Sequence, residues 1–150
     1  MSRIIPLLIL VLFSSDSHTN VNYSGTNVDI GKPGSANKAV RTIKLTQVDN
    51  MFLPAEITVK EGETVRFLIK NGGNHKHEML IGSTADLKKA AGMRRINPDN
   101  AYAEANLMQL EPGEQKELIW QFAGAGTIDF ACPLPGHFKK MRGKIFVEKK

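Results

Sequence analysis

At 150 residues and 41% hydrophobic content, the chain has material for one compact core and none for a second. Its formal charge of +5 fits nucleic acid, a membrane surface or an acidic protein and by itself selects none of them, because net charge describes long-range attraction rather than fold. No stretch approaches the ~18 apolar residues of a membrane-spanning helix, and a lone cysteine, Cys132, excludes an internal disulfide.

The chain opens with a positive residue, Arg3, and the apolar run Ile4 to Phe13, the layout of a secretory signal peptide. Ser15-Asp16-Ser17 offers small residues for cleavage, so residues 1–17 read as a signal and the remainder as exported to the periplasm. An uncleaved anchor is the alternative. Residues 18–38 are rich in Ser, Thr, Asn and Gly and read as a flexible leader, partly tied down near the domain, with a breaker cluster at Gly31-Lys32-Pro33-Gly34-Ser35. His18 in that leader reads as solvated, and the tripeptide Asn22-Tyr23-Ser24 as unmodified linker.

Residues 39–150 form the domain. Short alternating segments separated by turn residues predict an antiparallel sandwich or barrel. Strands are predicted over Arg41 to Asp49, Glu56 to Lys60, Val65 to Asn71 and Met79 to Gly82. The second and third are joined tightly at Glu61-Gly62-Glu63-Thr64, with Ile57, Val59, Val65, Phe67 and Ile69 at period-two positions for an inner face and Lys60, Arg66 and Lys70 facing outward. A helical turn over Asp86 to Ala91 sits in an irregular insertion that runs to about Leu107. Strands resume over Lys116 to Phe122, Ile128 to Cys132 and Lys144 to Glu148, and alternation places Cys132 on the same inner face as Ile128 and Phe130.

Cys132-Pro133-Leu134-Pro135-Gly136-His137-Phe138-Lys139-Lys140-Met141 concentrates the chemistry of the chain: a thiol, an imidazole and a thioether at the spacing C-x4-H-x3-M. This soft donor set suits copper better than magnesium, calcium or structural zinc, and a trigonal site of two histidines and one cysteine needs a second histidine from elsewhere. Asn74-His75-Lys76-His77-Glu78-Met79 supplies two imidazoles for that one position, His75 and His77. In an oxidising compartment an unpaired thiol is a liability, so metal ligation also gives Cys132 a reason to exist.

The loop from Cys132 to Met141 resembles the ligand loop of the cupredoxins, the small blue-copper proteins, with the spacing seen in azurins. Phe52 to Phe67 followed by His77-Glu78-Met79 is similar to small exported bacterial cupredoxins, some of them tied to copper tolerance, and the similarity spans roughly Ile30 to Lys150. The resemblance implies a cupredoxin-like antiparallel Greek-key β-sandwich binding one type 1 copper ion. It assigns His77 as the first histidine ligand in preference to His75, Cys132 as the thiolate, His137 as the second histidine and Met141 as the axial thioether. The N–H groups of Leu134 and Glu78 match donors to the thiolate sulfur. Glu78, where many cupredoxins have Asn, and Pro133, where many have Ser or Thr, alter the support of the cysteine loop.

The implied role is one-electron transfer through the solvent-facing edge of His137, with a transient acidic redox protein as partner and the protein itself a monomer that binds no nucleic acid. Lys139, Lys140, Arg142, Lys144 and Lys76 form the expected basic rim. The alternative is periplasmic copper handling by the same site without a dedicated redox partner. An enzyme is not expected, because multicopper oxidases and nitrite reductases need several such domains and more histidine than the four present.

Overall fold

The alternation that marks strands in the sequence is realised as burial: Ile57, Val59, Val65, Phe67 and Ile69 are all buried, while Lys60 and Lys70 are exposed. A computed structural model describes residues 28–100 and 102–150. The signal over residues 1–17 and the leader up to residue 27 lie outside the described residues.

The elements are β1 (Lys32–Pro33), β2 (Arg41–Val48), β3 (Met51–Leu53), β4 (Glu56–Lys60), β5 (Thr64–Asn71), β6 (His77–Gly82), α1 (Thr84–Ile96), β7 (Leu107–Leu110), β8 (Gln115–Gln121), β9 (Gly126–Ala131) and β10 (Arg142–Glu148). They form two five-stranded sheets, in the orders β1-β8-β5-β2-β3 and β4-β10-β9-β6-β7. The main core lies between them, and Phe52 meets Phe130 edge to face across it at 5.0 Å between ring centroids. Among the described residues no helix is long and apolar enough to cross a membrane.

The sandwich is mixed rather than wholly antiparallel, because β2 runs parallel to β5 and β4 parallel to β10. The tight turn between β4 and β5 is therefore not a hairpin: it carries the chain from one sheet to the other. Gly62 makes that corner at φ +76, a left-handed conformation that costs glycine little. Period-two burial is the same for a hairpin and for a strand pair split between facing sheets, so the sequence pattern could not tell them apart.

The end of the predicted leader is also part of the sandwich. Lys32–Pro33 pair with Gln121 and Trp120 on β8, the Trp120 indole N–H donates to the Ile30 carbonyl at 2.6 Å, and Val28 and Ile30 pack against the core. Proline lies on this edge strand, where its missing N–H removes no central ladder bond.

The insertion holds a full helix. Ser83 caps α1 in a reciprocal capping box with Asp86, and Leu87, Ala90 and Arg94 form its buried stripe. Leu87 and Ala90 join Leu80, Leu107 and Ala131 in a second, smaller core on the outer side of β6 and β9. That cover explains why all six residues of β6 are buried, whereas a strand with one solvated face would alternate.

Close packing beside the future site gives a test. A Cβ on Gly143 would stand 2.1 Å from the Phe130 ring and 2.5 Å from the Ala55 carbonyl, and neither can withdraw without disturbing the two-sheet core. Gly143→Ala is expected to destabilise the fold by about 1–3 kcal/mol, the range for overpacking, read as a lowered urea midpoint at unchanged slope.

Candidate metal centre

Two segments meet at one end of the sandwich. β6 begins at His77, paired with Leu110, and its odd-numbered residues His77, Met79 and Ile81 alternate with Glu78, Leu80 and Gly82, which face α1 and β7. The second segment leaves β9 at Ala131 and returns as β10 at Arg142. It closes on itself: the Cys132 N–H donates to the Met141 carbonyl at 3.0 Å, and the Met141 N–H to the His137 carbonyl at 2.9 Å. Gly136 turns the loop at φ +82.

These two segments bring His77, Cys132 and His137 together, with their ligating atoms all within 4.8 Å of one another. The two Nδ1 atoms are 3.2 Å apart, and His137 Nδ1 is 3.5 Å from the Cys132 sulfur. His77 and Cys132 are fully buried and His137 is half-buried. Met141 is fully buried in the same core cluster as Cys132. Among the described residues no other group of three such side chains converges.

Asp49 decides how His77 can act. Its carboxylate lies 3.0 Å from His77 Nε2 and accepts the Asn74 N–H at 3.1 Å. The Asn74 N–H, with His77 and His75 behind it, holds the Asp49 carboxyl far below the usual carboxylate range. An ionised Asp49 fixes the proton of His77 on Nε2 and leaves Nδ1 as a bare lone pair aimed at His137. Two such nitrogens at 3.2 Å, beside a thiol, repel unless a cation or a shared proton lies between them. The donor set therefore fits a soft cation, copper above all.

The thiol is held in reserve. Burial pushes the Cys132 pKa up to about 11, although the N–H groups of Glu78 and Leu134 pull it down. The Glu78 N–H donates to the sulfur at 3.4 Å. Prolines 133 and 135 have no N–H, so Leu134 presents the donor between them. Burial also lowers the pKa of His137, and His77 and His75 push the same way while Asp49 opposes them.

His75 lies outside this group. Its side chain is 70% exposed, it precedes β6 in a bend, and its Nδ1 is 3.3 Å from the same Asp49 oxygen. Asp49 itself carries no signal in the sequence, where it closes a predicted strand, because the β2–β3 turn that brings it to His77 is a tertiary event. Arg94 and Gln109, which hold the Glu78 carboxylate at 3.0 and 2.6 Å, were equally invisible.

A family model described as a cupredoxin-like domain matches residues 3–147. The chain is a cupredoxin. Relatives include the copper-resistant cuproprotein CopI of Rubrivivax gelatinosus, 42% identical over 87% of this chain and 81% of that protein, and the protein of the same name from Pseudomonas aeruginosa, 30% identical over 97% of both. Auracyanin A, a blue copper protein from Chloroflexus aurantiacus, shares the fold with a TM-score of 0.61 at 24% identity, covering 71% of this chain and 98% of its own.

In this cupredoxin the two nearby histidines differ in position, His77 buried beside Cys132 and His137 and His75 exposed. His77→Ala is expected to weaken copper binding by more than the roughly 10–100-fold typical of an outer-sphere change, Asp49→Asn to fall within that range, and His75→Ala to stay near wild type. Competition titration against a copper chelator reads all three. With Cys132 as a ligand the protonated thiol adds a pH dependence: below about 11 one proton would leave the sulfur for each metal bound, so apparent affinity should rise about tenfold per pH unit across the neutral range. The slope should steepen at acid pH, where His137 also holds a proton. A flat profile would show that the sulfur is not a ligand.

Proposed function

We propose that this cupredoxin binds one copper ion through His77, Cys132 and His137 with Met141 as weak axial donor, and that after export to the periplasm it acts in copper handling. The observation that carries the proposal is the convergence of the two Nδ1 atoms and the sulfur at one end of the sandwich, in a chain 42% identical to a copper-resistant cuproprotein. Bound copper would supply one-electron chemistry with little rearrangement, because the donor set lies between the geometries its two oxidation states prefer. The protein's part is to hold the donors fixed and dry: Asp49 orients His77, the closed loop seats Cys132, and both sheets bury Met141. Four histidines, three of them at or beside one site, supply no second centre for oxidase or reductase chemistry, so the proposal is a binding protein rather than an enzyme.

Electron transfer is the second reading, and the half-buried His137 favours it. A groove beside His137 has a floor of Pro133, Leu134, Pro135 and Phe138 and is edged by Lys88, Arg95 and Lys139. This differs from the rim expected from sequence. Lys144 is in register with Asp129 on one side and Glu56 on the other, and Lys76 Nζ lies 3.8 Å from Glu111, so those two lysines have acidic neighbours. The helix supplies replacements that lie about fifty residues away in sequence. An apolar floor with basic edges suits a transient acidic partner, whether a redox protein or a copper donor.

Expression of the full chain in a copper-sensitive bacterium is expected to raise the copper concentration tolerated, and Cys132→Ser to abolish both that protection and the thiolate-to-copper absorption of the purified protein. No protection, together with electron exchange that slows as salt rises and slows again in Lys88→Glu with Lys139→Glu, would replace copper handling by the carrier reading. A coloured Cys132→Ser protein would end both.

A further inference from the structure

Arg94 is 1% exposed, as deep in the molecule as any aliphatic side chain of the core. Its Nε donates to the Glu78 carboxylate at 3.0 Å, and its guanidinium lies 3.5 Å from the centroid of the Tyr102 ring. Gln109 donates to the other carboxylate oxygen of Glu78 at 2.6 Å. Glu78, itself 1% exposed, is thus gripped from α1 on one side and from β7 on the other.

Stability does not account for this arrangement. A buried ion pair is on balance no better than an apolar pair of similar volume, because both charges must be stripped of water. Here the desolvation is not even fully compensated, since among the described residues Arg94 Nη1 has no hydrogen-bond partner. The neighbours Leu80, Leu87 and Ala90 show that an apolar contact between α1 and β6 was available. What distinguishes Glu78 from them is its backbone. It follows His77 directly, and its N–H points at the Cys132 sulfur, 3.4 Å away. Farther along β6, Leu80 is in register with Ala131 of β9, so at Glu78, where β9 has ended, the sulfur receives the N–H that a strand carbonyl would otherwise take.

We propose that Arg94 is a positioning residue of the metal centre: by clamping the Glu78 side chain from α1, it fixes the first residues of β6 so that the Glu78 N–H stays on the Cys132 sulfur and His77 stays over His137. The insertion between β6 and β7 is then part of the copper site's support. The grip matters there because β6 begins at His77, with a bend before it, and is laddered at His77 and Glu78 to β7 alone, β9 pairing with it only from Leu80 on. Gln109 serves the same end from β7. The clamp rests on the assignment of Cys132 as the copper thiolate, but its geometry exists in the metal-free protein and can be read there.

Amide hydrogen exchange of the copper-free protein, resolved by residue, is the test. Arg94→Gln is expected to speed exchange of the Glu78 amide at least tenfold while the amide of Ile81, bonded to the Asn106 carbonyl at 3.1 Å, keeps its protection. Arg94→Lys, which keeps one donor, should recover part of the loss. Gln109→Leu removes the second donor at a half-buried position, so it should fold even if Arg94→Gln does not, and should shift the same amide by a smaller factor. In the copper-loaded variants the loss of an N–H from the thiolate should favour the oxidised ion by up to about tenfold, a fall of roughly 59 mV for a one-electron couple. Unchanged Glu78 exchange in the folded variants, or exchange accelerated equally along β6, would reduce Arg94 to a packing residue and overturn the proposal. A wild-type protein that takes up no copper yet shows the Glu78 effect would sink the copper assignment and leave the clamp standing.

Discussion

The structure depends most on the burial of β6 on both faces. One face must serve the inter-sheet core, through Met79 and Ile81, and the other must be covered by α1, through Leu80. A strand held from both sides cannot slip in register without moving a full set of side chains to the wrong environment. That rigidity is what allows a histidine at its first position to be delivered, to within hydrogen-bond distances, against a loop some sixty residues later. Where pairing with β9 runs out, at Glu78, the β7 ladder continues and side-chain contacts from α1 and β7 add to it.

The electrostatics of the site follow from the same burial. The thiol is raised by desolvation and His137 is lowered by it, so burial favours the neutral form of both. Asp49 supplies a negative charge at one remove, through His77, where the Asn74 N–H holds it ionised and partial exposure spares it the full penalty of a buried carboxylate. A thiol raised to about 11 keeps its proton against any weakly bound ion at neutral pH, which biases the site toward metals that bind thiolate strongly.

Much of this was legible in the chain, for local reasons. Period-two alternation found most of the strands, and C-x4-H-x3-M, being a local loop, placed Cys132 and His137 side by side without any tertiary information. Spacing alone does not separate His77 from His75; only family resemblance does, and in the structure the first is buried and the second exposed. The helix was read short because its buried stripe ends in arginine: Leu87 and Ala90 alone give a weak apolar period, and only the structure shows that Arg94 is their continuation. β3 and β7, with three and four residues, are too short for alternation to mark them. Asp49 was missed because nothing in sequence ties it to a histidine twenty-eight positions away.

Copper handling and electron transfer make different demands on the same pocket, and the placement of the helix bears on both. A carrier needs the donors immobile so that little reorganisation accompanies each change of oxidation state, and it needs one ligand edge near the surface. A handling protein needs the ion retained, which favours burial and slow release. His77, Cys132 and Met141 are fully buried and satisfy the second demand, while His137 alone reaches toward solvent and satisfies the first. The groove edged by Lys88, Arg95 and Lys139 is lined by Gly136 and Phe138, the chain neighbours of His137. α1 forms one wall of that groove and also grips Glu78 behind the sulfur, so the surface a partner would touch and the inner support of the site are built on one element.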